Sequence, residues 1–163
     1  MTMTSYREAI IADLPAICRL GQVVNLLHHE ALPHIFSPVS DPQRDIVYWR
    51  KGIENIGATT YVAETSGEIV GFVAVDVATE KHTQLQPVCF ARIGSICVSE
   101  SSRGQGIGRE LMARAEHWAA SNGAVDIRLN VWSFNQSAFR LYEELGYEIR
   151  SMFLGKALTH DET

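Results

Sequence analysis

Cysteine is scarce in this chain and badly placed for cross-linking. Cys18, Cys89 and Cys97 are an odd number, widely spaced, with no CxxC pair. They fit neither a disulfide framework nor a zinc site, and they suit a reducing compartment such as the cytoplasm. No run approaches the roughly 18 apolar residues of a membrane span, so no membrane partner is expected. The opening Met1-Thr2-Met3-Thr4-Ser5-Tyr6 has neither the basic nor the apolar region of a secretory signal. Positive charge is also in deficit: 14 Lys and Arg against 19 Asp and Glu leave a formal charge of −5. A protein that grips nucleic acid through its phosphates is ordinarily basic, so a nucleic-acid partner is disfavoured. There is no internal repeat, low-complexity tract or Pro/Ser/Gly-rich linker. What remains is 163 residues, 46% apolar and 20% charged. That is enough to bury a core, and one domain over residues 1–163 is the expectation.

Hydrophobic periodicity predicts the elements. Tyr6–Ile11 reads as a first strand, and Asp13 with Pro15 marks a helix start, followed by apolar residues at helical spacing from Leu14 to Ala31. Asp41-Pro42 starts a second helix that Gly57 stops. Thr60–Thr65 and Ile69–Ala78 form a hairpin through Ser66-Gly67-Glu68, and the second strand is apolar on both faces, which implies layers above and below it. Asp76 breaks that apolar strand. A solvated strand end accounts for it, with a cleft-facing base as the alternative. Val88–Val98 is a long strand in which Gly94 marks a bulge or a close backbone approach. A helix from Ile107, a strand over Val125–Val131, a helix over Asn135–Leu145 and a final strand over Tyr147–Leu158 complete the chain. The order β-α-α-β-β-β-α-β-α-β predicts an α/β fold, a mixed sheet with helices on both faces.

One segment carries chemistry. Arg103-Gly104-Gln105-Gly106-Ile107-Gly108 follows a strand and opens a helix. Glycines let the backbone approach a ligand, and the helix start presents N–H groups at the positive end of its dipole. Arg103 and Arg109 add two cations at the rim. This is an anion cradle suited to a diphosphate. The dinucleotide fingerprint fails, because Arg109 stands where a third glycine is required, and no Gly-Lys-Ser/Thr of an ATP-type loop exists.

Further residues narrow the choice of diphosphate. Ala91–Val98, Arg103–Gly108, Asn130-Val131-Trp132 and Asn135-x-x-Ala138-x-x-x-Tyr142-x-x-x-Gly146-Tyr147 together resemble the GCN5-related N-acetyltransferase (GNAT) family. The resemblance spans Ile69 to Tyr147 and is much weaker before Thr60. It implies the GNAT acyltransferase fold, a mostly antiparallel central sheet whose strands splay. It implies acetyl-CoA as cosubstrate, with the pyrophosphate held by Arg103, Gly104, Gln105, Gly106, Ile107, Gly108 and Arg109. The pantetheine arm would pair with Ile96, Cys97 and Val98, with Asn130 and Asn135 as further contacts. Tyr142 matches the tyrosine that protonates the leaving thiolate. The implied reaction is direct acetyl transfer to a primary amine in a ternary complex, in a cytoplasmic enzyme that needs no metal. Histone-type members carry a glutamate where this chain has Arg92, so a carboxylate base is missing at that site.

The acceptor is less constrained. The acidic balance favours a small cationic amine. Acetylation of protein or peptide amines, or acyl-CoA binding without turnover, are the rival readings. The region between the first two helices usually forms the acceptor wall in this family, which nominates His29, Glu30 and Phe36. His28, His29 and His34 around Glu30 have metal-like residue types but no ligand spacing, so no metal is expected. Cys97 reads as a small buried side chain rather than a nucleophile. Asn135 can cap its helix, with Ser133-x-x-Gln136 a competing capping box. A homodimer through the loop Thr79–Pro87 or the final strand is left open.

Overall fold

A computed structural model describes residues 3–159. The chain packs as two compact units, Met1–Asn130 and Val131–Thr163.

The first unit holds a five-stranded sheet of β1 (Thr4–Glu8), β2 (Ala58–Thr65), β3 (Glu68–Thr79), β4 (Cys89–Val98) and β5 (Asp126–Leu129), in sequential order. The first three pairings are antiparallel and the last is parallel. A parallel neighbour requires a crossover, which α3 (Ile107–Ser121) supplies. Ser66 (φ 53°) and Gly67 (φ 81°) both take the left-handed conformation that a tight hairpin turn demands. The expected mixed α/β architecture is present, with the first strand displaced toward Thr4 and the fifth confined to four residues.

Two helices, α1 (Leu14–Ala31) and α2 (Pro42–Glu54), cover one face of the sheet. Ile17 and Leu20 of α1 join Val62, Phe72 and Cys97 in one core cluster, with Trp49 and Ile53 of α2 packed against it. The Trp49 ring meets Phe72 edge-on at 5.1 Å. Gly21 sits on the apolar stripe of α1 because a Cβ there would lie 2.9 Å from the Trp49 ring. On the opposite face α3 takes over, and a Cβ on Gly71 would meet Leu111 and Ile107 at 3.3 and 3.4 Å. Leu111, Met112 and Ala115 of that helix are fully buried. The doubly apolar β3 is thus buried between two helical layers. Phe72 has no exposed surface, and truncating such a residue to Ala costs about 3–5 kcal/mol.

The helix starts differ in how they are capped. Asp41 caps α2 as expected, its Oδ1 accepting the Gln43 N–H at 2.9 Å. Asp13 does not cap α1 with its side chain. Its carboxylate instead accepts the Ile10 N–H at 2.8 Å and both terminal nitrogens of Arg7 at 2.7 and 3.0 Å. A charged bidentate partner outcompetes the single N–H of a cap. Among the described residues no helix is long and apolar enough to cross a membrane.

The second unit holds α4 (Gln136–Glu144), stopped by Gly146 at φ 90°. The strand expected over Tyr147–Leu158 is absent. Residues 147–159 carry no regular structure, and Ile149, Met152, Phe153, Leu154 and Leu158 are exposed. An extended apolar segment becomes a strand only by pairing its backbone, and α4 is the only regular element among the described residues of this unit. The sequence pattern supplies an apolar segment but no ladder.

Candidate functional site

The site of the first unit begins where β4 and β5 part. Their parallel pairing runs from Phe90 opposite Asp126 to Ile93 opposite Leu129 and then stops. β4 continues for five more residues, Gly94–Val98, of which Ser95–Val98 pair with β3 and none pairs with β5. The divergence coincides with the bulge that Gly94 predicts: Ala74 faces Ser95 and Val75 faces Ile93, leaving Gly94 as the extra residue. Beyond Ile93 the edge of β4 that faced β5 therefore has no strand partner among the described residues.

Beyond Val98, a short 3-10 turn at Glu100–Ser102 leads into the glycine loop. Gly104 (φ 73°) and Gly106 (φ 80°) take left-handed backbone, and no atom lies within 4 Å of where their Cβ atoms would be. The glycines are therefore required by conformation and by an open face, not by crowding within the chain. Gly106 is the N-cap of α3 with no side chain capping the helix, and the first intrahelical bond is Glu110 N–H to the Gly106 carbonyl at 3.0 Å. The N–H groups of Ile107 and Gly108 have no acceptor one turn back in the helix and sit at the positive end of its dipole. Ile107 is 3% exposed and packs into the core, so only its backbone is available to a ligand. Gln105 and Arg109 are exposed at the rim. Arg103 is exposed too, its Nε donating to the Val98 carbonyl at 3.1 Å. Just before the turn, the Ser99 hydroxyl is buried without a hydrogen-bond partner among the described residues. A buried unsatisfied hydroxyl costs about 1–3 kcal/mol.

Ile96, Cys97 and Val98 lie on the stretch of β4 that pairs with β3 but not with β5. The Cys97 thiol itself turns into the core, 5% exposed, and donates to the Leu20 carbonyl of α1 at 3.5 Å. Burial pushes its pKa up to about 11, partly offset by the charge of Arg103. A protonated buried thiol is not a nucleophile. Asn130 is exposed immediately after β5.

Near the point where β4 and β5 part lies an ionic group that periodicity does not reveal. Asp76 of β3 faces Arg92 of β4, and Arg92 faces Arg128 of β5, in one row across three adjacent strands. Arg92 donates from Nη2 and Nε to a single oxygen of Asp76, at 2.6 and 3.2 Å. Arg128 lies over the Phe90 ring at 3.8 Å and bonds Glu80 at 2.7 Å and Asp126 at 2.9 Å. Asp76 and Arg92 stand out in sequence as charges on apolar strands, but their pairing depends on register.

The proposed acceptor residues lie at the end of α1 and in the loop after it. His29 Nδ1 is 2.6 Å from the Phe36 carbonyl, so Nδ1 carries the proton and Nε2 is the open nitrogen of the neutral ring. The His28 ring packs on Phe36 at 4.8 Å, and Asn25 donates to the Ser37 carbonyl at 3.0 Å. His29 and Phe36 are thus brought together in clasping the loop onto α1. Glu30 is exposed and forms no hydrogen bond or ion pair among the described residues. Among the described residues no group of three His, Cys, Asp or Glu is arranged to hold a metal.

In the second unit Asn135 is the N-cap of α4, its Oδ1 accepting the Ala138 N–H at 3.3 Å. The competing capping box does not form, because Gln136 bonds the Ser133 carbonyl instead. Tyr142 is 7% exposed, and its ring lies 5.9 Å from that of Tyr147. Burial raises its pKa, so the phenol stays protonated at neutral pH. Its hydroxyl has no hydrogen-bond partner among the described residues.

Comparison with known proteins follows the same outline. A model of the acetyltransferase (GNAT) family matches residues 24–147. The uncharacterized N-acetyltransferase YhfO of Bacillus subtilis is 28% identical over 145 residues, covering 87% of this chain and 88% of that one. The crystal structure of an F44R mutant of the BH1408 protein of Bacillus halodurans superimposes with a TM-score of 0.86 at 23% identity, over 95% of this chain and 99% of that one. The aminoglycoside N-acetyltransferase AAC(6')-Iy in complex with CoA superimposes with a TM-score of 0.74 at 17% identity, over 97% of each chain. At these identities the two structures speak to the fold alone.

Proposed function

Because the chain belongs to the acetyltransferase (GNAT) family, we propose that it transfers the acetyl group of acetyl-CoA to the primary amine of a small cationic acceptor, working as one cytoplasmic domain. The observation that carries this reading is the glycine cradle at the start of α3, set directly after a strand with an unpaired edge. The cradle suits a pyrophosphate, bound by backbone N–H groups with Arg103 and Arg109 at the rim. The edge of β4 at Ile96–Val98, which has no β5 partner, suits the amide-bearing pantetheine arm, which would add to β4 as a further strand. The buried Ser99 hydroxyl supports a ligand in this region, since a donor without a partner is rare in a finished core.

In this mechanism the free amine attacks the thioester carbonyl in a ternary complex. Backbone N–H groups near the Gly94 bulge stabilise the oxyanion as the tetrahedral intermediate forms. The C–S bond then breaks, and Tyr142 hydrogen-bonds the departing thiolate as it gains a proton. The role of Tyr142 comes from the family resemblance, and its protonated state supports it. Asn135 would combine its cap with a contact to the CoA chain. An alkylamine with a pKa near 10 is deprotonated in about one molecule in a thousand at pH 7, a cost of about 4 kcal/mol. A proton acceptor or a water chain must lower that cost. His29, with Nε2 open, is suited to the task, with Phe36 and Glu30 beside it on the acceptor wall. The aminoglycoside N-acetyltransferase named above is in keeping with a small amine acceptor.

The test is a thiol-release assay over a panel of small amines and peptides, with acetyl-CoA binding measured separately. Turnover with small amines is the expected result. Binding without turnover on any amine would favour a non-catalytic acyl-CoA sensor, and turnover restricted to peptides would favour a protein acetyltransferase.

A further inference from the structure

We propose that Asp76 is an acceptor-anchoring residue that binds a second cationic group of the substrate, so that the preferred acceptors are diamines or polyamines. The inference rests on the acetyltransferase reading above and adds a residue and a substrate class to it.

Three observations carry it. The first is position. Asp76 lies across from Arg92, and Arg92 lies one rung before the last β4–β5 pair, Ile93 with Leu129. One strand spacing and one residue of rise separate Asp76 from the point where the strands part, roughly 6 Å. In the acetyltransferase reading the thioester is held where the strands part, which puts Asp76 within reach of an acceptor beside it.

The second is valence. Arg92 engages only one carboxylate oxygen, Oδ2. The other, Oδ1, accepts no hydrogen bond among the described residues. The Asp76 side chain is 35% exposed, so that oxygen is reachable. Arg92 fixes the carboxylate in place without saturating it.

The third is charge. The cluster comprises Asp76, Glu80 and Asp126 against Arg92 and Arg128. Arg128 is held by two carboxylates, Glu80 and Asp126, and so does not compete for Asp76. Asp76 is the member of the group with an open acceptor atom for a cation. An ammonium on Asp76 is not the reacting amine, since an ion pair would hold that amine protonated. It is a second ammonium, joined to the first by a chain of roughly four carbons to span the 6 Å.

The experiment compares putrescine with n-butylamine, the monoamine of the same chain length, in the wild-type protein and in Asp76→Asn and Asp76→Glu. Wild type should favour putrescine in kcat/KM by about twofold to fivefold, the scale of one partly exposed ion pair. The preference should reside in KM and shrink as salt rises. Asp76→Asn should bring the ratio close to one while acetyl-CoA affinity is retained, and Asp76→Glu should keep a preference. A ratio that is the same in wild type and Asp76→Asn overturns the assignment. So does a wild-type enzyme that turns over both amines equally, which needs no variant to fold. If neither amine is acetylated while peptides are, the small-amine reading falls and the anchor falls with it.

Discussion

Tyr142→Phe separates chemistry from packing more cleanly than any other change in this protein. The ring is 7% exposed and stacks near Tyr147, contacts that Phe retains. The hydroxyl has no hydrogen-bond partner among the described residues, so its loss leaves no orphaned group. The variant should therefore match wild type in stability to within about 0.5 kcal/mol. The catalytic effect follows from relative acidity. Burial raises the phenol above its ordinary value of 10, whereas a thiol has a pKa of about 8.5. Complete proton transfer from phenol to thiolate is thus uphill, by about 2 kcal/mol or more. In the proposed mechanism the tyrosine would contribute chiefly as a hydrogen-bond donor to sulfur as charge develops, the proton being restored from solvent. That places the loss at the lower end of general-acid effects, about 10- to 100-fold in kcat.

The assay is thiol release at saturating acetyl-CoA and acceptor, with calorimetric acetyl-CoA affinity and thermal unfolding as controls. The expected pattern is a kcat lowered by one to two decades with both controls unmoved. A kcat within about twofold of wild type would refute the donor role, leaving water to protonate the thiolate. A matching fall in acetyl-CoA affinity would reassign the hydroxyl to ground-state binding.

Gly106→Ala should leave the fold intact at a cost of about 1–2 kcal/mol, since φ 80° strains an L-residue but no atom lies within 4 Å of the new Cβ. Its acetyl-CoA affinity should drop at least about tenfold, read by calorimetry, if this backbone cradles the pyrophosphate. Asp13→Asn should lower stability by about 1–3 kcal/mol through loss of the charged pairing with Arg7. The Arg7 guanidinium holds the Asp13 pKa below its ordinary value. The carboxylate therefore stabilises the fold above the unfolded-state value near 4, and that contribution is lost as pH falls through the lower folded value. Thermal melts of wild type and variant should differ at pH 7 and converge below about pH 4. Gly21→Ala places a methyl 2.9 Å from Trp49, and unfolding measurements should show a loss of about 1–3 kcal/mol. Cys97, with a pKa of about 11, should resist alkylation at pH 8 in the folded protein, followed by mass spectrometry, and react promptly once the chain is unfolded.

Much of the fold is legible in local chemistry. Asp41-Pro42, the Ser66-Gly67 turn, Gly94 and Gly146 each announce a structural event within a few residues of themselves, and each event occurs. Asp13 and the segment Tyr147–Leu158 mark the boundary of that legibility. Asp13 has the composition of a cap, yet Arg7 and the Ile10 N–H claim its carboxylate. Tyr147–Leu158 has the apolar content of a strand, yet strand formation depends on a backbone partner that composition cannot reveal. In both cases the deciding partner lies outside the window that periodicity reads.

The same distinction explains why a donor is easier to infer from this sequence than an acceptor. A diphosphate is recognised by backbone: two left-handed glycines and a helix start suffice, and glycine betrays such a backbone by its identity alone. Acceptor recognition falls to side chains from separate elements. Asp76 and Arg92 are 16 positions apart and meet only through the β3–β4 register. A one-residue slip of that register would put the two side chains on opposite faces of the sheet. Gly94 breaks the ladder where β4 leaves β5, just past Arg92. Deleting Gly94 removes the extra residue and leaves Asp76 opposite Arg92, so it should cost turnover through the backbone N–H groups near the bulge, while the cradle at α3, built from backbone further along the chain, should continue to bind acetyl-CoA. Calorimetric loss of acetyl-CoA binding in a folded deletion variant would show that the cradle depends on the bulge, contrary to this separation of the two sites.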